Sequence, residues 1–242
     1  MNRDARLAGL LYLILLPTTG VWYAMTSALL ASGDLATTLA GVAAGRTRLE
    51  IAIVAGAFGF VDFLILGVVV YRLLRPAGKT AAGVLLAFVV ASSALSLAAV
   101  ARQMDVLSLL DAAGFSTSAK EQIPLQVTMA LRGASNLFLI TDVFSGLWLI
   151  PLGWLGMRAG VLPRAIGYAL IAGSAFYVLT FVGTVVDPAY ATTLFARVLG
   201  IISGVPGFLG ELGTIFWLLI KAPRVQIATV AAAQPAGSLS DL

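Results

Sequence analysis

Residues 51–71 read IAIVAGAFGFVDFLILGVVVY. Wound as a helix at about 1.5 Å per residue, this stretch is about 30 Å long, the thickness of the hydrocarbon core of a bilayer. Its apolar residues are continuous rather than alternating, which argues against a barrel strand and for a spanning helix. The only charge in it is Asp62, near its middle. An ionised carboxylate at that depth costs roughly 2.5–3.5 kcal/mol on insertion scales, so intramembrane acids are functional candidates by default.

Working outward, five more runs of the same character follow at about residues 7–30, 80–100, 133–155, 165–186 and 198–220. The whole chain is 60% hydrophobic and 11% charged, with a mean hydropathy of +1.01. A soluble domain carries about 25% charged residues, so this chain lacks the polar surface to face water. Only helices and closed barrels satisfy their backbones in lipid. The expected fold class is therefore all-α. It is a polytopic bundle of six transmembrane helices over residues 1–222, followed by a disordered tail over 223–242 that is rich in Ala, Ser and Pro. Arg3 and Arg6 before the first run resemble the basic end of a signal peptide, with small residues at Ala28, Ala31 and Ser32 for cleavage. The length of the run, and Trp22 and Tyr23 within it, favour an uncleaved first helix.

The loops predict the orientation. On the side of both termini lie nine cations: Arg3, Arg6, Arg72, Arg75, Lys79, Arg158, Arg164, Lys221 and Arg224. The other side has six, Arg46, Arg48, Arg102, Lys120, Arg132 and Arg197, matched there by six acids. Lys and Arg accumulate on the cytoplasmic side, so both termini are expected in the cytoplasm. The longest outer connection is expected from Arg102 to about Arg132. Within it, Ser118-Ala-Lys-Glu121 fits a capping box that would start a short interfacial helix, with Pro124 in its first turns.

The chain has no Cys and no His. Disulfides, thiol nucleophiles, imidazole catalysis, His-ligated haem and the usual zinc sites are therefore excluded, and no cofactor or metal is implied. The net charge of +4 does not point to nucleic acid, because the basic residues sit beside apolar runs. No G-x-S-x-G, H-E-x-x-H or phosphate-cradling glycine loop is present.

Three carboxylates lie inside apolar runs: Asp62, Asp142 and Glu211. Asp62 is ten residues before Arg72 and Glu211 ten before Lys221, which places both about 15 Å from the cytoplasmic cations, near the midplane. The pair is a candidate ligand or proton site; the structural alternative is an acid that is protonated or hydrogen-bonded to a neighbouring helix. Asp142 is expected about 24 Å from Arg158, in the outer half. Thr141 and Ser145 lie beside it, and Arg102 or Arg132 from the outer rim are candidate partners, for it or for an anion. Snorkelling to the headgroups is the alternative for both arginines. Gly200 and Gly204, then Gly207, Gly210 and Gly213, make a small-residue stripe for close packing. With Pro206, Gly204 and Gly207 also form a candidate hinge just before Glu211. Pro17 and Pro151 are expected to kink their helices, and Ser92, Ser93 and Ser96 to add polar lining or interhelical hydrogen bonds.

Four segments carry a resemblance. They are Phe144–Gly153 (FSGLWLIPLG), Arg158–Gly167 (RAGVLPRAIG), Pro206–Glu211 (PGFLGE) running on to Trp217–Lys221 (WLLIK), and Arg6–Tyr12 (RLAGLLY). Together the chain up to about Arg224 resembles the 4386 domain-of-unknown-function family of bacterial integral membrane proteins. Val161 stands where that family usually shows an aromatic. The resemblance implies six membrane helices in a bacterial inner membrane and no assigned activity; it places Glu211 and Arg164 within family motifs.

The leading expectation is a non-enzymatic membrane protein that binds or transports a small solute or proton through a midplane carboxylate site. The alternative is a structural or partner-regulating protein in the bilayer, with a protein partner or a second copy and no ligand site. An intramembrane enzyme acting on lipid ranks third, because no partner for a carboxylate base is visible.

Overall fold

The computed structural model describes residues 3–27, 35–112, 122–187 and 189–221. The small residues Ala28, Ala31 and Ser32, the Ser118–Glu121 box and the tail from Pro223 lie outside them. The described chain is all-α. In order it forms α1 (Arg3–Ser27), α2 (Leu35–Ala44), α3 (Arg46–Leu74), α4 (Lys79–Ala112), α5 (Ile123–Leu147), α6 (Leu149–Arg158), α7 (Arg164–Val186), α8 (Leu194–Leu199) and α9 (Val205–Ile220). Six spans are long and apolar enough to cross a membrane, α5 with α6 and α8 with α9 each counting as one. Their outward residues are apolar, Phe58 being 71% and Ile201 68% exposed, as a lipid-facing surface requires.

Short connections make consecutive spans antiparallel neighbours. Thus α1 packs on α3, α3 on α4, α4 on α5, α6 on α7 and α7 on α9; α9 then returns to α1. The six spans close a ring. At the end carrying the termini, Asp4 of α1 pairs with Arg72 of α3 at 3.3 Å. At the other end Arg46 bonds Glu50 at 2.9 Å and reaches Asp111 of α4 at 2.6 Å.

The helices outrun their apolar stretches, because backbone hydrogen bonding continues once the side chains reach the interface. The long outer connection expected from Arg102 to Arg132 is corrected by this: α4 continues to Ala112 and α5 begins at Ile123, with Pro124 in its first turn. Val106, Ile123, Val127 and Leu131 are buried there against Trp22, Leu49 and Val42 of α2, a second apolar core at the outer end. The helix α2 itself has no counterpart among the expected elements.

Two breaks have sequence causes. Pro151 has no N–H to offer the carbonyl of Leu147, and the fourth span divides there, α5 ending at Leu147 and α6 starting at Leu149. Ahead of Pro206 the chain makes one π-turn over Gly200–Gly204, the N–H of Val205 reaching back to the Gly200 carbonyl; the wider turn gives the proline ring room. Pro17 lies inside a single uninterrupted α1. After α6, Gly160 takes φ 66°, and the N–H groups of Val161 and Leu162 both bond the Gly156 carbonyl at 2.9 Å. This left-handed cap turns the chain into Pro163 and α7.

Candidate functional site

The inward face of α1 follows a spacing of three and four residues: Ala5, Ala8, Tyr12, Leu15, Thr19 and Trp22. All but Thr19 are buried. On α9, Glu211 lies four residues after Gly207 and four before Ile215, both buried, so it shares their inward face. The two helices touch, and Tyr12 donates its hydroxyl to Glu211 Oε2 at 2.8 Å. From α7, Tyr177 donates to Glu211 Oε1 at 3.3 Å. Trp148 packs on Tyr12 with ring centroids 5.7 Å apart, and on Phe63 at 5.1 Å.

Above this triad is an inner cavity of about 150 Å³. Every span contributes to its wall: Leu15 and Thr19 from α1, Phe60 and Phe63 from α3, Ser92 and Ser96 from α4, Asp142 and Ser145 from α5, Tyr177 from α7 and Glu211 from α9. Ser92 and Ser145 share a hydrogen bond of 2.9 Å, and Ser96 reaches Thr141 at 3.5 Å. A second cavity of about 330 Å³, the outer chamber in the expected orientation, lies towards the Ser27 end of α1, lined by Trp22, Tyr23, Thr26, Ser27, Gln103, Phe138, Asp142 and Thr180 among others. Phe138 and Asp142 line both. Along α1 the order runs from Ser27 through Tyr23 and Thr19 to Tyr12, so the two chambers and the triad span about 22 Å of depth. Among the described residues no Lys or Arg lines either chamber.

The pairing expected from depth is therefore redrawn. Asp142, not Asp62, shares a cavity with Glu211. Residue spacing ranks an acid only by its distance from the ends of its own helix, whereas the direction it faces depends on how the ring closes. Asp62 lines neither chamber, and its Oδ2 is buried without a hydrogen-bond partner among the described residues. Among the described residues Asp142 has no hydrogen-bond or ion-pair partner: the hydroxyl of Thr141 is given to the Leu137 carbonyl at 3.1 Å, and Ser145 is engaged with Ser92. Tyr177 lines the inner cavity together with Glu211 and Asp142.

Arg102 and Arg132 are both exposed and stand apart from the acids. Arg102 pairs with Asp105 at 3.4 Å beside a separate outer groove. The candidate hinge is mostly a packing surface: Gly207 meets Gly173 of α7 backbone to backbone, and Gly204 faces the ring of Phe176. The π-turn ahead of Pro206 is its one irregular feature. Tyr12 and Tyr177 were not singled out in the sequence. The three-and-four spacing of α1 marks Tyr12, and Leu170, Ser174 and Tyr177 repeat that spacing on α7. Among the described residues no three acids gather as a metal cage would need.

A family model described as a domain of unknown function, DUF4386, matches residues 7–222. The chain belongs to this family. No curated protein and no solved structure matches it. In this family member the PGFLGE segment carries Glu211 onto the inward face, and the RLAGLLY segment supplies its partner Tyr12.

Proposed function

We propose that this membrane protein binds a small positively charged species, a proton or a small inorganic cation, in the inner cavity and passes it across the bilayer. One observation carries the reading. A chamber walled by all six spans holds two carboxylates, Asp142 and Glu211, and, among the described residues, no basic side chain. In a low-dielectric surround such a chamber attracts cations and repels anions. Its volume of about 150 Å³ is well above the roughly 10–15 Å³ that a single water needs, which suits hydrated protons or a partly dehydrated ion. Glu211 is held by two tyrosine hydroxyls, so an arriving ion must displace or share them, and the triad acts as the inner gate. Binding and transport, rather than catalysis, fits a chamber in which Ser92 and Ser145 bond each other and no carboxylate bonds either. The excess of cations on the side of the termini supports a cytoplasmic membrane location with both ends inside.

Purified protein reconstituted in liposomes tests this. With a lumenal pH dye and an imposed proton, sodium or potassium gradient, it should dissipate at least one gradient faster than empty liposomes. E211Q and D142N should each slow that flux tenfold or more, while D62N leaves it intact. Proteoliposomes indistinguishable from empty ones under all three gradients would refute the proposal and leave the structural role.

A further inference from the structure

The outer chamber differs from the inner one in size and in walls. At about 330 Å³ it reaches the lower end of the range for small-molecule sites, about 300–1,000 Å³. Three aromatic side chains line it, Trp22, Tyr23 and Phe138, and Asp142 lines it with them. The aromatics form one group: ring centroids are 4.5 Å apart for Trp22 and Phe138, and 6.3 Å for Tyr23 and Phe138. The polar edge of Trp22 is already used, its indole N–H donating to Gln103 Oε1 at 2.9 Å. That leaves the indole its hydrocarbon and π surface. Asp142, by contrast, has an uncommitted carboxylate among the described residues.

Aromatic rings, an uncommitted carboxylate and, among the described residues, no Lys or Arg together select one ligand chemistry. Rings attract a cation through their quadrupole, most strongly when the cation is poorly hydrated. A small inorganic ion keeps its water and gains little from such walls. An alkylammonium ion presents a diffuse positive charge on a greasy body and meets both features at once. We infer that the outer chamber is a binding site for an alkylammonium ion, held against Trp22, Tyr23 and Phe138 and neutralised by Asp142. This rests on the reading that the ring interior receives cations, and it names what the outer chamber takes. Because Asp142 lines both chambers, a bound ammonium ion competes with the inner cation for the same carboxylate. The chamber lies at the outer end of α1, within reach of the headgroup layer, so the ammonium group belongs either to a free solute or to an amine-bearing lipid.

The test uses full-length protein purified in a maltoside detergent free of amine lipids. Choline and its uncharged isostere 3,3-dimethyl-1-butanol are titrated by calorimetry, followed by short-chain phosphatidylethanolamine. Choline or the phosphatidylethanolamine should bind saturably, and the isostere at least tenfold more weakly than choline. Binding of choline alone assigns a free solute, and of the phospholipid alone a headgroup. D142N should weaken the bound ammonium tenfold or more. Y23L, on an exposed position, should weaken it severalfold with the melting temperature unchanged. E211Q should leave it intact while slowing flux tenfold or more, so failure of transport and failure of this site are distinguishable. Equal binding of choline and isostere, no binding of either ammonium compound, or affinity unaltered in both D142N and Y23L, would overturn the inference.

Discussion

The glycine stripe ahead of Glu211 yields a graded test of how the ring is held together. A Cβ placed on Gly207 would lie 2.6 Å from the Cα of Gly173. Carbon atoms rest at about 3.5–4.0 Å, so G207A must part α7 and α9 by about 1 Å at their crossing. The obstacle is backbone and cannot rotate away. Overpacking of this kind costs about 1–3 kcal/mol, partly offset by about 1 kcal/mol of helix propensity on replacing Gly with Ala. On Gly204 the new methyl meets the Phe176 ring at 3.1 Å, and on Gly200 the nearest atom is that ring at 4.0 Å. A ring can tilt, so G204A should be near neutral, and G200A should gain up to about 1 kcal/mol. The series therefore runs G200A, G204A, G207A in falling stability, spanning about 1–3 kcal/mol. At about 2–4 °C per kcal/mol for a chain of this size, the spread in thermal midpoint is roughly 2–12 °C, readable by tryptophan fluorescence in detergent. Three variants melting together, or G207A melting highest, would refute the close Gly173–Gly207 crossing.

Three further outcomes follow from the contacts. Y12F removes the 2.8 Å bond to Glu211 and should cost about 1.5–3 kcal/mol if the carboxylate is ionised, but only about 1 if it is neutral; a double-mutant cycle with E211Q should show coupling, and strict additivity would mean that the bond contributes nothing. D62L should raise stability by about 1–3 kcal/mol, because it removes a buried oxygen that has no partner among the described residues; a loss of stability in chemical denaturation would show that Asp62 is paired after all. R46A breaks the outer ion pairs, whose side chains are 43–57% exposed, so the loss should stay below about 1 kcal/mol and shrink in high salt; a larger, salt-independent loss would mark that cluster as a structural anchor.

Chemistry along each helix was readable without coordinates. The apolar run around Asp62 is long enough only for lipid, and Pro151 and Pro206 announced the two irregular turns because a missing N–H is a local fact. The reach of α4 to Ala112 was not readable, since Arg102, Gln103 and Asp105 look like an exit from the membrane. The buried partners of Val106, which keep that segment helical, come from α2 and α5. The same limit applies at the site. Glu211 was visible as an acid in oil, but its tyrosine partners stand 199 and 34 residues away.

By itself the order of residues determined the all-α membrane class and the number of apolar spans, because hydropathy and helix length are properties of one helix at a time. Which acids share a chamber was decided only in three dimensions. Rotation of each helix about its axis is set by neighbours, above all by where glycine lets α7 meet α9 and where α9 meets α1. That rotation turns Asp142 and Glu211 to one interior and leaves Asp62 outside it.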